Sequence, residues 1–331
     1  MPGNNIFMQN GARAARARRR PHIYRFGPFC FSSELDIPEL GALRNVISSA
    51  LDRTIDVAID LDEVPAGLEH GVSFGPGCEV SAREYLLDIP GIVRLYAGFG
   101  NSVRVQPSAA VPVSDITIFL LGSIFGALCH QNGLLPLHAS TVEKNGRVTA
   151  FLGDSGAGKS TLAACLQRRG YRILSDDICV LEQSDRPGQG TRVVPVAGWL
   201  KLWRESLNHL GETPEERNRT FSSDDKYRVY LAPDSGPAPR LPLGRIVLLA
   251  KSEFEDAAPT WMPLSAADAL GGMMSMTYLD YVPELTGSDA RRFQQCAQVL
   301  KGARAYRLTV PWGLDRMESV LDLIEQQSLP A

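Results

Sequence analysis

The hydrophobic positions along this chain change rhythm twice. Between residues 22 and 113 the apolar side chains come in short alternating or β-rich pieces, at 55–59, 84–89, 92–96 and 102–105. Gly75-Pro76-Gly77, Pro90-Gly91 and Gly98-Phe99-Gly100 part them. Period-two runs broken by glycine and proline predict strands and turns, so residues 22–132 read as a small, largely β amino-terminal domain. A longer apolar stretch over 113–129 closes this region and stops at Asn132-Gly133. Its core, roughly 116–128, is too short for a bilayer span and carries glycines, which predicts a buried helix.

From residue 133 the rhythm becomes that of an α/β unit. Residues 148–152 form a compact apolar run suited to a buried strand, and a glycine-rich turn follows. Residues 159–169 then place Leu162, Ala163 and Leu166 on one helical face until Gly170 stops the helix. Residues 172–174 predict a second strand whose far end delivers Asp176 and Asp177, and 178–181 continue the apolar pattern. Beyond this unit, 185–190 reads as a polar turn, 198–210 as a helix carrying Trp199 and Trp203, and 211–225 as a charged loop. The pattern further predicts a core strand at 243–250, helices at 264–276 and 289–301, a strand at 305–310 and a closing helix at 313–326. The expected class is α/β, with residues 133–331 forming the second domain.

Composition adds bounds. A chain of 331 residues can bury two cores, and 44% hydrophobic with 21% charged residues is ordinary for a globular protein. A net charge of -3 argues against nucleic acid as the main partner, and no membrane partner is expected. The six cysteines are scattered without a C-x-x-C pair, the usage of reduced thiols in a cytoplasmic protein. Arg13, Arg16, Arg18, Arg19 and Arg20 among alanines read as a disordered basic tail over residues 1–21, outside the fold, with a basic arm or an organelle-type presequence as the alternative. A homo-oligomer is compatible with all of this.

The chemistry concentrates in one segment. Gly153-Asp154-Ser155-Gly156-Ala157-Gly158-Lys159-Ser160, followed by Thr161, fits the G-x-x-x-x-G-K-[ST] phosphate loop. Glycines let successive backbone amides face phosphate oxygens, and the following helix aims its positive end at the same anion. In such a loop Lys159 neutralises phosphate charge and the Ser160 hydroxyl ligates magnesium, so ATP and Mg are the expected ligands. Asp176 and Asp177 sit where one carboxylate can serve the metal, directly or through water, and the other can take the proton of an acceptor hydroxyl. His138 lies just upstream of the first strand of the unit; a lone histidine in apolar company is more often structural. The other histidines have no metal-site spacing, and no nucleophile elbow supports a hydrolase triad. Lys226, Arg228 and Arg245 are candidates for binding phosphate or an acidic acceptor, against an equal reading as ordinary surface charge.

The run His138-Ala139-Ser140, the loop 153–160, Arg169-Gly170-Tyr171 and Asp176-Asp177 together resemble the catalytic core of HPr kinase/phosphorylase over about 45 residues. The resemblance implies a carboxykinase-like phosphate-loop kinase domain, with Asp177 as proton acceptor, Ser160 as magnesium ligand, and Lys159 and His138 in the active site. Thr161 stands where the bifunctional enzymes carry glutamate, a departure that leaves the reverse phosphorylase reaction open. The β-rich front and Lys226-Tyr227-Arg228 look more like the HPr-kinase-related proteins of ribosomal peptide pathways, some of which phosphorylate a serine of a lasso-peptide precursor. The expectation is therefore an ATP- and Mg-dependent serine kinase acting on a peptide or small protein through its serine hydroxyl. A kinase of HPr in carbon regulation and a non-catalytic nucleotide-binding module of a biosynthetic complex are the alternatives.

Overall fold

The computed structural model describes residues 21–43, 55–183, 190–196, 198–221, 224–231, 239–254, 257–311 and 313–327. The basic segment 1–20 and most of the turn expected at 185–190 lie outside the described residues.

The alternating front of the chain folds into one eight-stranded sheet. Its strands are β1 (His22–Phe26), β2 (Phe29–Ser33), β3 (Ile55–Leu61), β4 (Val72–Ser73), β5 (Cys78–Val80), β6 (Glu84–Ile89), β7 (Val93–Gly98) and β8 (Ser102–Pro107). They run in the order β1-β2-β3-β8-β7-β6-β5-β4, with β3 parallel to both of its neighbours and the other pairs antiparallel. Period-two residues such as Phe29 with Phe31, Val57 with Ile59, and Val103 with Val105 form one buried face.

Against that face lies a helical run made of α1 (Val113–Phe119), a π-helical turn (Leu120–Ile124) and α2 (Phe125–Gln131). At 19 residues the run Val113–Gln131 is long and apolar enough to span a bilayer, more than the 116–128 estimate allowed, yet 67% of its apolar window is buried inside the protein. Ile116, Ile124, Phe125 and Leu128 share one hydrophobic cluster with the sheet, so the run is a core helix. The same cluster takes in Ile178, Val180, Val194, Val196 and Trp199 from later in the chain.

The second half is built on β9 (Leu135–Lys144), β10 (Arg147–Leu152), β11 (Arg172–Ser175), β12 (Ile178–Gln183), β13 (Thr191–Val194), β17 (Leu241–Lys251), β18 (Thr260–Pro263) and β19 (Arg304–Val310). Between β13 and β17 come β14 (Trp199–Trp203), β15 (Asn218–Arg219) and β16 (Lys226–Tyr230), a separate three-stranded sheet in the order β14-β16-β15. The helices are α3 (Lys159–Arg168), α4 (Arg204–His209), α5 (Ala266–Ser275), α6 (Tyr281–Leu285), α7 (Asp289–Leu300) and α8 (Met317–Gln326).

Two long strands organise this half. β9 pairs β10 along one edge and the bent pair β11 and β12 along the other, while β17 pairs β10, β13 and β19. The path β10-β9-β12-β13-β17 returns to β10 and closes on itself around Leu137, Ala139, Ala150, Leu152, Leu181 and Ile246. Asn145-Gly146, at φ 55 and 75, joins β9 to β10. Two central residues with positive φ are what a tight hairpin needs. α3 and α8 cover the outer face through Leu162, Leu166, Val320 and Ile324. Arg169 ties them together, donating to Glu318, Asp322 and Glu325 of α8.

One expected helix is different. The helix predicted over 198–210 is the strand β14 followed by the short α4. In Trp199-Leu200-Lys201-Leu202-Trp203 the two leucines are buried on one face, and the tryptophans flank Lys201 on the other. With apolar residues on both faces, the period-two order is hidden in a run that imitates a helix.

Candidate active site

The site grows from the carboxyl end of β10. The apolar run 148–152 is held between antiparallel β9 and parallel β17, so its last residue, Leu152, is fixed opposite Ala139 and Leu248. The chain then turns through the glycine loop. Gly156 at φ 82 and Gly158 at φ 91 take the left-handed conformation, and Gly158 is the N-cap of α3. A side chain at either position would strain the turn. Gly153 packs so closely on β17 that a Cβ there would lie 3.3 Å from the Leu249 carbonyl oxygen.

Lys159, 6% exposed, folds back so that its ammonium donates to the carbonyls of Gly153 at 2.7 Å and Asp154 at 2.9 Å. Burial lowers its pKa from the ordinary lysine value, against the upward pull of Asp177 and Asp176. A buried cation held by neutral carbonyls is a group that an incoming polyanion stabilises. Ser160 donates to Asp176 Oδ1 at 2.8 Å, and Ser140 donates to the same oxygen at 2.6 Å. The other oxygen of Asp176 accepts the Lys201 backbone N–H at 2.9 Å. Thr161 shares a 2.8 Å hydrogen bond with Ser206, which ties the first turn of α3 to α4, the helix that follows β14.

Asp177 occupies the interruption between β11 and β12. Its φ is 72, and Ile178 N donates to Asp176 O at 2.9 Å across it, a three-residue turn of the strained hand. Strain of this kind persists where surrounding structure holds it, and functional sites are a common place for it. Here two side chains do the holding: Lys201 donates to Asp177 Oδ2 at 2.7 Å, and His138 Nε2 lies 3.4 Å from Oδ1. Burial alone raises the Asp177 pKa, but Lys201 and then His138 outweigh it and hold the carboxyl well below the usual carboxylate range. The side chain keeps 25% exposure and borders the site cavity.

These groups line one cavity of about 430 Å³, a size suited to a small-molecule ligand. Ser155, Gly156, Ala157, Gly158, Lys159, Ser160, Thr161, His138, Asp177 and Lys226 all border it, while Gly153 and Asp154 contribute the carbonyls that hold Lys159. Asp176 reaches the site through Ser160. Lys226 stands 5.6 Å over the ring of the half-exposed Trp203 at the rim. Arg245 lies elsewhere, six residues before Lys251 on β17 and so roughly 20 Å toward the opposite end of the strands.

Arg228 is a correction. It is buried and pairs with Glu39 at 2.7 Å, with side-chain exposures of 4% and 2%, and it borders no part of the cavity. Thr117 also donates to Glu39, so this knot joins the front of the chain, α1 and β16. A buried cation with a committed partner is a structural anchor. Arg228→Met alone should destabilise the fold by about 3–5 kcal/mol, because it strands the Glu39 charge. The double variant with Glu39→Met should regain most of that loss, and urea unfolding of the set reads the difference. A full-cost double variant would show that the pair is not what holds this junction.

Lys201 was not expected from sequence. It touches both aspartates, by its backbone to Asp176 and by its side chain to Asp177. No spacing connects it to the loop, since only the packing of β14 across α3 brings it there.

The donors present fit a magnesium nucleotide. Among the described residues no group of three or more His, Cys, Asp or Glu could hold a metal by itself. Ser160 and Asp176 offer only hard oxygens, and magnesium is usually held by few carboxylates together with substrate phosphates and water.

The protein is thus an α/β protein with a glycine-loop cavity at the carboxyl ends of parallel strands. No family model matches the chain, and no curated protein matches it. Among solved structures it is similar to the HPr(Ser) kinase/phosphatase from Coxiella burnetii, at 11% identity and a TM-score of 0.29, over 58% of this chain and 94% of that one.

Proposed function

We propose that this protein is an ATP- and Mg-dependent kinase that phosphorylates a serine hydroxyl on a peptide or small protein. The observation that carries the reading is Asp177, strained, ionised and held by His138 and Lys201, beside the cavity that the glycine loop and Lys159 border. A nucleotide-binding module needs no carboxylate poised there. The sequence resemblance to HPr kinase over the same residues agrees with it.

On this reading the loop amides and Lys159 hold the phosphates, with Ser160 and Asp176 at the metal. Magnesium supplies charge neutralisation on the phosphate oxygens. The acceptor hydroxyl donates a hydrogen bond to Asp177 and gives up its proton there as its oxygen bonds to phosphorus. The bond to the bridging oxygen breaks in the same event, and Lys159 retains the nucleoside diphosphate. An ionised carboxylate of low basicity suits a loose phosphoryl-transfer transition state, in which the nucleophile is oriented first and deprotonated late.

The test is incubation of the full chain with MgATP and serine-containing candidate peptides, including any precursor peptide found encoded beside its gene, followed by mass spectrometry. The expected product is the peptide plus one phosphate on serine. An untouched peptide with phosphorylated HPr would move the acceptor to carbon regulation, and binding without transfer to any acceptor would leave a nucleotide-binding module.

A further inference from the structure

The cavity has two unlike ends, and sheet order says which lies where. β9 neighbours β10 on one side, and β17 followed by β19 neighbours it on the other. β17 and β19 run parallel to β10, so their carboxyl ends meet the glycine loop at the same level. β9 runs antiparallel and presents His138 there, with Asp177 across from it. His138 on β9 and the end of β19 are three strand spacings apart along the sheet, roughly 14 Å at about 4.8 Å per strand, with the loop's strand β10 between them.

The Asp177 end is polar, bordered by His138, Lys201 and Lys226. The other end is a largely apolar wall of Leu249, Val310, Pro311, Leu314, Met317 and Val320, with Lys251 and Gly313 at its margin, formed where β17 and β19 finish and α8 begins. Phosphates have no use for such a wall, whereas the flat face of a heteroaromatic ring does. Leu314 and Met317 are half-buried, so they can receive a ligand, while Val320 closes the floor at 2% exposure.

We infer that this wall is the nucleobase subsite: the base packs on Leu314 and Met317, and the triphosphate crosses the loop toward Asp177. The inference rests on the kinase reading for its ligand and adds the direction in which that ligand lies. It also leaves Trp203, on the small sheet beside Lys201, to the acceptor side of the site.

The test compares binding of MgATP and of magnesium tripolyphosphate to the full-length protein by calorimetry. Tripolyphosphate fills the loop but has no base. The double variant Leu314→Gln/Met317→Gln keeps side-chain size and neutrality while spoiling the apolar face. It should bind MgATP about tenfold more weakly, the order of effect expected for contacts in an apolar pocket, with tripolyphosphate affinity unchanged. That unchanged affinity also shows that the variant is folded. Equal loss for both ligands, or no loss for either, overturns the assignment. So does selective loss of MgATP in Trp203→Ala rather than in the glutamine pair, which would put the base on the small sheet. A wild-type protein that binds tripolyphosphate but gains nothing from the nucleoside also overturns it, and leaves the phosphate site standing. A protein that binds neither sinks the kinase reading and this inference together.

Discussion

Asp177→Asn should lower the rate of phosphate transfer to the acceptor peptide by about 10²–10⁴-fold, the usual worth of general-base assistance. The substitution keeps size and hydrogen-bonding capacity but removes the negative charge that receives the proton. It also removes the partner of Lys201, whose ammonium lies 2.7 Å from Asp177 Oδ2. MgATP affinity should change little, because Lys159 and the loop amides are untouched. The two readouts separate base from structure: single-turnover transfer rates report the chemistry, and calorimetry reports the nucleotide site. Full transfer rates with the correct peptide would remove Asp177 from its role, and parallel loss of binding and rate would make it an architectural residue of the strained turn.

Lys159→Ala should weaken MgATP binding by at least tenfold. Truncating one member of a desolvated charge pair costs about 2–5 kcal/mol, and Lys159 is only 6% exposed. In the free protein its ammonium is held by the carbonyls of Gly153 and Asp154. Removing it therefore strands no carboxylate, and the fold should tolerate the change better than it tolerates Arg228→Met. Calorimetry on a variant with an unaltered unfolding curve is the measurement. Unchanged affinity would refute the placement of the phosphates at this loop.

Much of the fold was legible because local chemistry dictates it. The short apolar runs at 148–152 and 243–250 are strands, as their length and β-branched residues predict, and Gly170 stops α3 where its helical face ends. The π-helical turn in the run 113–131 left no trace that hydrophobic spacing could reveal. β9 was missed as a strand, although Asn145-Gly146 between apolar runs is a strong hairpin signal. β14 was misread because its two apolar faces contact different partners, Trp199 in the cluster under the first sheet and Leu200 with Leu202 in the cluster under α3.

What the sequence determined by itself is the loop Gly153 to Ser160 and the pair Asp176-Asp177, because glycine conformations and a helix start are local properties carried by consecutive residues. What only the tertiary structure decided is how the rest of the charge is shared out. Sequence treated Lys226 and Arg228 alike and passed over Lys201. The fold puts Lys201 on both aspartates and Lys226 at the cavity rim, and buries Arg228 against Glu39. Lys201 and Arg228 face each other across β14 and β16, so their strand positions are equivalent. Their fates differ because the carboxylates that meet them come from 24 and 189 residues away, and that separation is bridged only by packing.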